Sequence, residues 1–187
     1  GVGYGRALSE NFSVGGHLKK AYQYLGNNVV PVSDSSNTVE NNVANAIAVD
    51  FGTIYITDWH GFTFGMSVRN FSEEVEYGYD SFQLPLTFRI GGSIDVLSFL
   101  PSLSEKQSLR MALEALHPRS YPERLNLGLE YSFMDLGNVR LGYLFNYDER
   151  NLTYGAGIKL GPLKIDYALT PFGVFDSVSR ISVSIAR

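Results

Sequence analysis

The 187-residue chain has no cysteine, one tryptophan and three histidines, and no apolar run approaches the roughly 18 residues that a membrane helix requires. The first absence leaves no disulfide framework and fits passage through an oxidising compartment. The last excludes a helical span and says nothing against strands. His17, His60 and His117 fall on different strands or turns without an HExxH pattern or a close carboxylate spacing, so they read as isolated histidines rather than a metal site. There is no GxSxG elbow. A lipid-facing Ser-His phospholipase pair would have only Leu116-His117-Pro118 to start from. The glycine-rich GVGYG and GYGRA lead into strand rather than helix, which fails the phosphate-cradle pattern. Basic residues are dispersed, leaving no nucleic-acid footprint. The expectation is a non-enzymatic chain without cofactor or metal.

The first residues, GVGYGRALSENFSVGG, lack a Met, a basic n-region and an apolar h-region, and already read as a strand in progress. The expectation is a fragment or a processed chain.

What the chain does contain is alternation. It is 44% hydrophobic and 13% aromatic, with 19 Gly, 12 Tyr, 12 Phe and a formal net charge of -4. Its mean hydropathy of -0.04 looks soluble, but lipid-facing and lumen-facing residues that alternate also average to near zero. In residues 123 to 170, Leu125, Leu127, Leu129, Tyr131 and Phe133 take one face of an extended chain, opposite Arg124, Asn126, Gly128, Glu130 and Ser132. A DLGN turn leads to Val139, Leu141, Tyr143, Phe145 and Tyr147; then Leu152, Tyr154, Ala156, Ile158 and Leu160; then, after LGP, Leu163, Ile165, Tyr167 and Leu169. This is an up-and-down antiparallel meander.

Earlier segments repeat the pattern more loosely. Strands are expected at Val2 and Tyr4, from Phe12 to about Tyr24, from Asn45 through Tyr55, over Phe62 to Val68, over Leu86 to Val96, over Leu109 to Ala115, and at the end over Ile181 to Ile185. Residues 107 to 116, QSLRMALEAL, have the propensity of a helix and are read as strand on alternation. Lys20 interrupts the apolar face of its strand, where a lipid-facing Lys costs on the order of 2 to 4 kcal/mol at mid-depth and little near the interface. Residues 26 to 42 and 72 to 83 are expected to be long exposed loops, with further long loops at 117 to 122, 147 to 151 and 170 to 179. The connection over 97 to 108 is long for a turn and has room for a short amphipathic piece. With about eleven strands, the tight turns SEN, DWHG, DLGN and LGP sort to one side and the long loops to the other, with the 97 to 108 connection as the one exception. An even strand total then requires an odd number of strands before Gly1.

Strands of about nine to eleven residues, apolar on one side with Tyr or Phe near their ends, match a lipid-facing wall. The other face carries Gly and charges of both signs: Asp50, Arg69, Arg89, Asp95, Arg110, Glu114, Arg124, Glu130, Arg140, Lys159, Lys164, Asp166 and Arg180 are expected to face the lumen. They form either a ladder of cross-strand ion pairs or the wall of a polar pathway.

The pattern PLTFRIGGSIDV, followed by LEALHPRSYPERLNLGLEYSFMDLGNVRLGYLFNYDERNLTYGAGIKLGPLKIDYALTPFG, resembles the C-terminal part of the PorV/PorQ-type outer-membrane proteins, most specifically over residues 84 to 95 and 112 to 173. That family is related in architecture to the long-chain fatty-acid transporter barrels. The resemblance implies an all-β, up-and-down antiparallel transmembrane barrel of about fourteen strands, eleven of them here, in the bacterial outer membrane. It implies outer-membrane lipid as surroundings, with secretion-system proteins or cargo of type IX secretion, or hydrophobic small molecules, as partners. The ending Ile185-Ala186-Arg187 departs from the terminal aromatic usual in such barrels. The alternative reading is a soluble antiparallel barrel or sandwich acting as a binding module.

Overall fold

The computed structural model describes residues 1–33, 36–77, 80–100 and 106–185. The chain is all-β. In order the strands are β1 (Val2–Ala7), β2 (Phe12–Ser33), β3 (Ser36–Ile56), β4 (Thr63–Ser72), β5 (Val75–Tyr77), β6 (Asp80–Phe82), β7 (Thr87–Asp95), β8 (Gln107–Pro118), β9 (Arg124–Phe133), β10 (Gly137–Phe145), β11 (Leu152–Leu160), β12 (Leu163–Phe172) and β13 (Phe175–Ile185). A single turn of 3-10 helix, Val96–Phe99, follows β7. Eleven strands form one antiparallel sheet in which each pairs with its neighbour in sequence, the small β5–β6 hairpin standing aside between β4 and β7. The sheet is open, with β1 and β13 as its two edges.

The register follows from the alternation. Leu129 opposes Leu141, which opposes Tyr154, which opposes Leu169; one step along, Glu130 opposes Arg140 and then Gly155. A shift by one residue would exchange the two faces, so the sequence pattern holds the pairing in place. The β11–β12 turn places Gly161 at φ 61 ahead of Pro162, the order of a two-residue II′ hairpin.

Four expectations need correction. Residues 26 to 42 are not a loop: β2 and β3 continue as one long hairpin, pairing Asn27 with Asn41 and Val29 with Val39. Beyond Leu18 on the β1 side and Ala48 on the β4 side the hairpin's ladder is with itself alone. Backbone hydrogen bonding between two Asn/Ser-rich strands suffices once the ladder below is formed. Residues 34 and 35 lie outside the described residues. The acidic stretch 72 to 83 holds the β5–β6 hairpin, whose Val75 is buried, while residues 78 and 79 lie outside the described residues. The stretch 170 to 179 is a tight turn, with Phe172 opposite Phe175. The turn after β9 sits one residue early, at Met134 and Asp135, both with positive φ, because Phe133 opposes Gly137 to keep the apolar rows aligned.

The 107 to 116 stretch is strand, as alternation rather than propensity indicates. The short piece in the 97 to 108 connection is the 3-10 turn, held by Asp95, whose carboxylate accepts from the backbone N–H of Leu97 at 3.0 Å. Residues 101 to 105, and Ala186 with Arg187, lie outside the described residues.

The sheet has almost no interior. Among the described residues only Ala44, Ala48, Val75 and Leu116 are buried hydrophobics. The accessible surface is 13599 Å², whereas a compact protein of this mass exposes about 8,900 Å². The outward residues of β9 to β13, among them Leu129, Leu141, Tyr154, Ile158, Ile181 and Val183, are exposed.

Candidate functional site: the polar face

The thirteen charged positions expected on one face do share one face of the sheet. Cross-strand partners run Asp95–Arg110–Glu130–Arg140, Leu116–Arg124, and Lys159–Lys164, all in rows of one parity. Arg69, Arg89 and Glu114 join them through Thr87, Leu116 and Gly91, and Arg180 through Ala168. Two hollows lie on this side. The larger, about 1070 Å³, has Gly15, Gly52, Gly65, Gly91 and Gly128 along its floor and His17, Asp50, Arg69, Arg89 and Glu114 around it. The second, about 590 Å³, is floored by Gly128, Gly142 and Gly155 and bordered by Arg110, Glu130, Arg140, Asp166 and Arg180. Gly128 borders both, and a Cβ placed there meets open space.

Part of the face is an ion-pair ladder. Arg140 donates through Nε to Glu130 at 2.5 Å and through Nη1 to Asp166 at 2.9 Å, and Lys164 lies 3.2 Å from Asp166. Arg89 is 3.6 Å from Glu114, whose other oxygen accepts from Asn126 at 3.1 Å. Asp95 serves the backbone instead, accepting from Leu97 and, at 3.1 Å, from Leu109. Arg124 points into an aromatic stack rather than to a carboxylate, its guanidinium 5.0 Å from the Tyr121 ring centre and 4.5 Å from that of Tyr147. Arg150 continues the stack onto Tyr147 and Phe172, clamping the β8–β9 and β10–β11 connections to the end of β12.

Sequence reasoning missed the tightest cluster. Where Val49 opposes Phe71 but Phe51 opposes Val68, Asp50 faces two residues, Arg69 and Asn70, in a β-bulge. Asn70 takes φ 59 and donates its backbone N–H to Asp50 at 2.7 Å. Lys19 Nζ reaches both Asp50 oxygens, at 2.7 and 2.8 Å, and the Asn70 side-chain oxygen at 2.6 Å. Asn70 Nδ2 then donates to the Pro85 carbonyl at 2.9 Å, and His17 lies 3.7 Å from Asp50. The only signal available was that Lys19 and His17 share Asp50's polar parity.

Two histidines lie near carboxylates: His17 near Asp50, and His117 at 3.1 Å from Glu123. The second pair joins the end of β8 to the β8–β9 connection. The Glu123 carboxyl is held below its usual range, first by its own backbone N–H and then by His117. His60 instead stacks on Phe99 at 3.9 Å, within an aromatic group with Trp59 that docks the 3-10 turn against the β3–β4 turn. Among the described residues no group of three or more His, Asp or Glu is placed to hold a metal ion.

Arg69, Arg110, Lys159 and Arg180 form no ion pair among the described residues. Between the rims, with Lys19 added, nine basic side chains (Lys19, Arg69, Arg89, Arg110, Arg124, Arg140, Lys159, Lys164, Arg180) share the face with five carboxylates (Asp50, Asp95, Glu114, Glu130, Asp166). Such an arrangement can bind and orient charge.

No protein-family model matches the chain, and a comparison with curated proteins finds no match.

Proposed function

We propose that the chain forms an arc of the wall of a bacterial outer-membrane β-barrel of the PorV/PorQ type, non-enzymatic, serving type IX protein secretion or the passage of hydrophobic solutes. The observation that carries this reading is the inverted polarity of the sheet. In a water-soluble sheet the apolar face packs and the polar face meets solvent. Here the face that holds the two larger hollows is polar, charged and glycine-floored, and the opposite face is apolar and exposed.

Magnitudes favour lipid over water as the cover. The surface in excess of a compact protein is about 4,700 Å². If half of it is apolar, leaving it in water forfeits on the order of 60 kcal/mol at about 25 cal/mol per Å², several times the net stability of a domain, about 5–15 kcal/mol. Aromatic placement agrees. Tyr131 and Phe133 end β9 at one rim and Tyr143 and Phe145 end β10 at the other, with Leu127, Leu129, Val139 and Leu141 between. Leu125 to Phe133 covers about 26 Å along the strand, or roughly 20 Å of height at a tilt of about 40°, close to the apolar band of an outer-membrane wall.

Lys20 fits as well. It opposes Ile47, one row above the last β3–β4 pair, Ala48 with Ser72. A Lys at that rim extends its ammonium to the headgroups at little cost. Within this reading the overhanging β2–β3 hairpin is the element best placed to meet a protein partner.

The test is heat modifiability. The protein is extracted from host envelopes in mild detergent and run on SDS gels before and after boiling. A shift on boiling, together with recovery in the outer-membrane fraction, is expected; an unshifted band from the soluble fraction would leave the sheet as part of a soluble binding domain.

A further inference from the structure

We propose that the polar face binds small multivalent anions, and that Arg110, Lys159 and Arg180 supply the attraction. This goes beyond the membrane reading and does not depend on it.

The charge is partitioned. The chain carries -4 overall, yet between the rims the polar face carries nine cationic groups against five carboxylates, a surplus of four positive charges. The balancing acid lies largely in turns and connections, as at Glu10, Asp58, Glu73, Glu74, Asp148 and Glu149. A hollow on a face with a net charge of one sign concentrates counter-ions.

Internal pairing does not use up the surplus. Asp50, Glu114, Glu130 and Asp166 each already hold a cation, and Asp95 is occupied by two backbone N–H groups. Lys159 is a more pointed case: it sits directly opposite Lys164. Like charges in that position destabilise a sheet. Lys164 turns to Asp166, which leaves the Lys159 ammonium without a carboxylate among the described residues.

There is also room. Arg110 and Arg180 border the hollow of about 590 Å³. Arg140 and Arg180 share one register row, separated only by Gly155 and Ala168, so about 14 Å of low floor lies between their backbones at about 4.8 Å per strand. Thr153, Thr170 and Ser182 add hydroxyls at its border. The chemistry that fits is a compact anion with two or three sulfonate, phosphate or carboxylate groups.

The experiment uses the full-length protein in non-ionic detergent and fluorescence anisotropy of two probes, a pyrene trisulfonate dye and a tricationic dye of similar size. The trianion is expected to bind at least about tenfold more tightly than the trication, and to weaken about tenfold between about 20 mM and about 200 mM salt. Arg110→Gln/Lys159→Gln/Arg180→Gln is expected to lower its affinity about tenfold, while Arg6→Gln/Lys20→Gln, on the opposite face, leaves it unchanged. No trianion binding at the lower salt, equal binding of both dyes, an unchanged triple variant, or an equal loss in the opposite-face variant would each overturn the proposal. Should the triple variant not fold, Lys159→Gln alone, which relieves a like-charge pair, is expected to bind about twofold more weakly, and unchanged binding overturns the proposal. None of these outcomes bears on the gel shift, so the two readings fail separately.

Discussion

Asn70 occupies a conformation that most residues avoid. At φ 59 its backbone lies in the left-handed region, which costs an ordinary L-residue about 1–2 kcal/mol. Asn tolerates it, and its amide joins Lys19 and Pro85 while its N–H meets Asp50. Replacement separates the two contributions. Asn70→Gly loses two side-chain hydrogen bonds, about 2 kcal/mol, but keeps the backbone unstrained. Asn70→Ala loses both, about 3–4 kcal/mol in all. Ala is therefore expected to be worse than Gly, the reverse of the usual strand order, as measured by denaturant midpoints in detergent. This cluster was only half legible. Alternation places Asp50 on the polar face, but its meeting with Lys19, 31 residues away, depends on hairpin register and on a bulge that no local signal announces. The same limit explains Arg124: its parity was readable, its preference for the rings of Tyr121 and Tyr147 over a carboxylate was not.

At the scale of elements, β9 to β12 were legible almost to the residue because every second side chain is apolar and the interruptions are short. The upper halves of β2 and β3 were not, since their sequence carries Asn and Ser where alternation would be looked for. Strand structure there follows the pairing with the partner strand. That distinction has a consequence for deletion. Tyr24 and Val43 are register partners, so removing the residues between them and joining the ends through Asn-Gly makes a two-residue hairpin turn. The shortened protein is expected to melt within about 3 °C of the parent, a change below about 1 kcal/mol, by circular dichroism in detergent. A larger loss would mean that the overhang supports the sheet.

For the whole molecule, the large surface and sparse interior set the expected behaviour in water. Diluted from denaturant into detergent-free buffer, the chain is expected to aggregate through its apolar face and the unpaired edges of β1 and β13. Diluted into micelles, it is expected to recover a strand-rich far-ultraviolet spectrum and remain in solution after centrifugation. Equal solubility in both media would require a different cover for the apolar face. The all-β class and the number of sheet strands were legible from the alternation alone. Closure was not, because no side-chain pattern within a strand reports which other strand its edge will meet.

The sequential order of the sheet has a kinetic side. Since each strand of the eleven lies beside the one made just before or after it, with only the β5–β6 hairpin intervening, no pairing has to wait for a distant segment to arrive. Low sequence separation between partners keeps the entropic barrier to each step small. Growth can therefore proceed as a zipper, one strand at a time along whichever edge is already formed, and the long β2–β3 ladder is the natural place for it to begin.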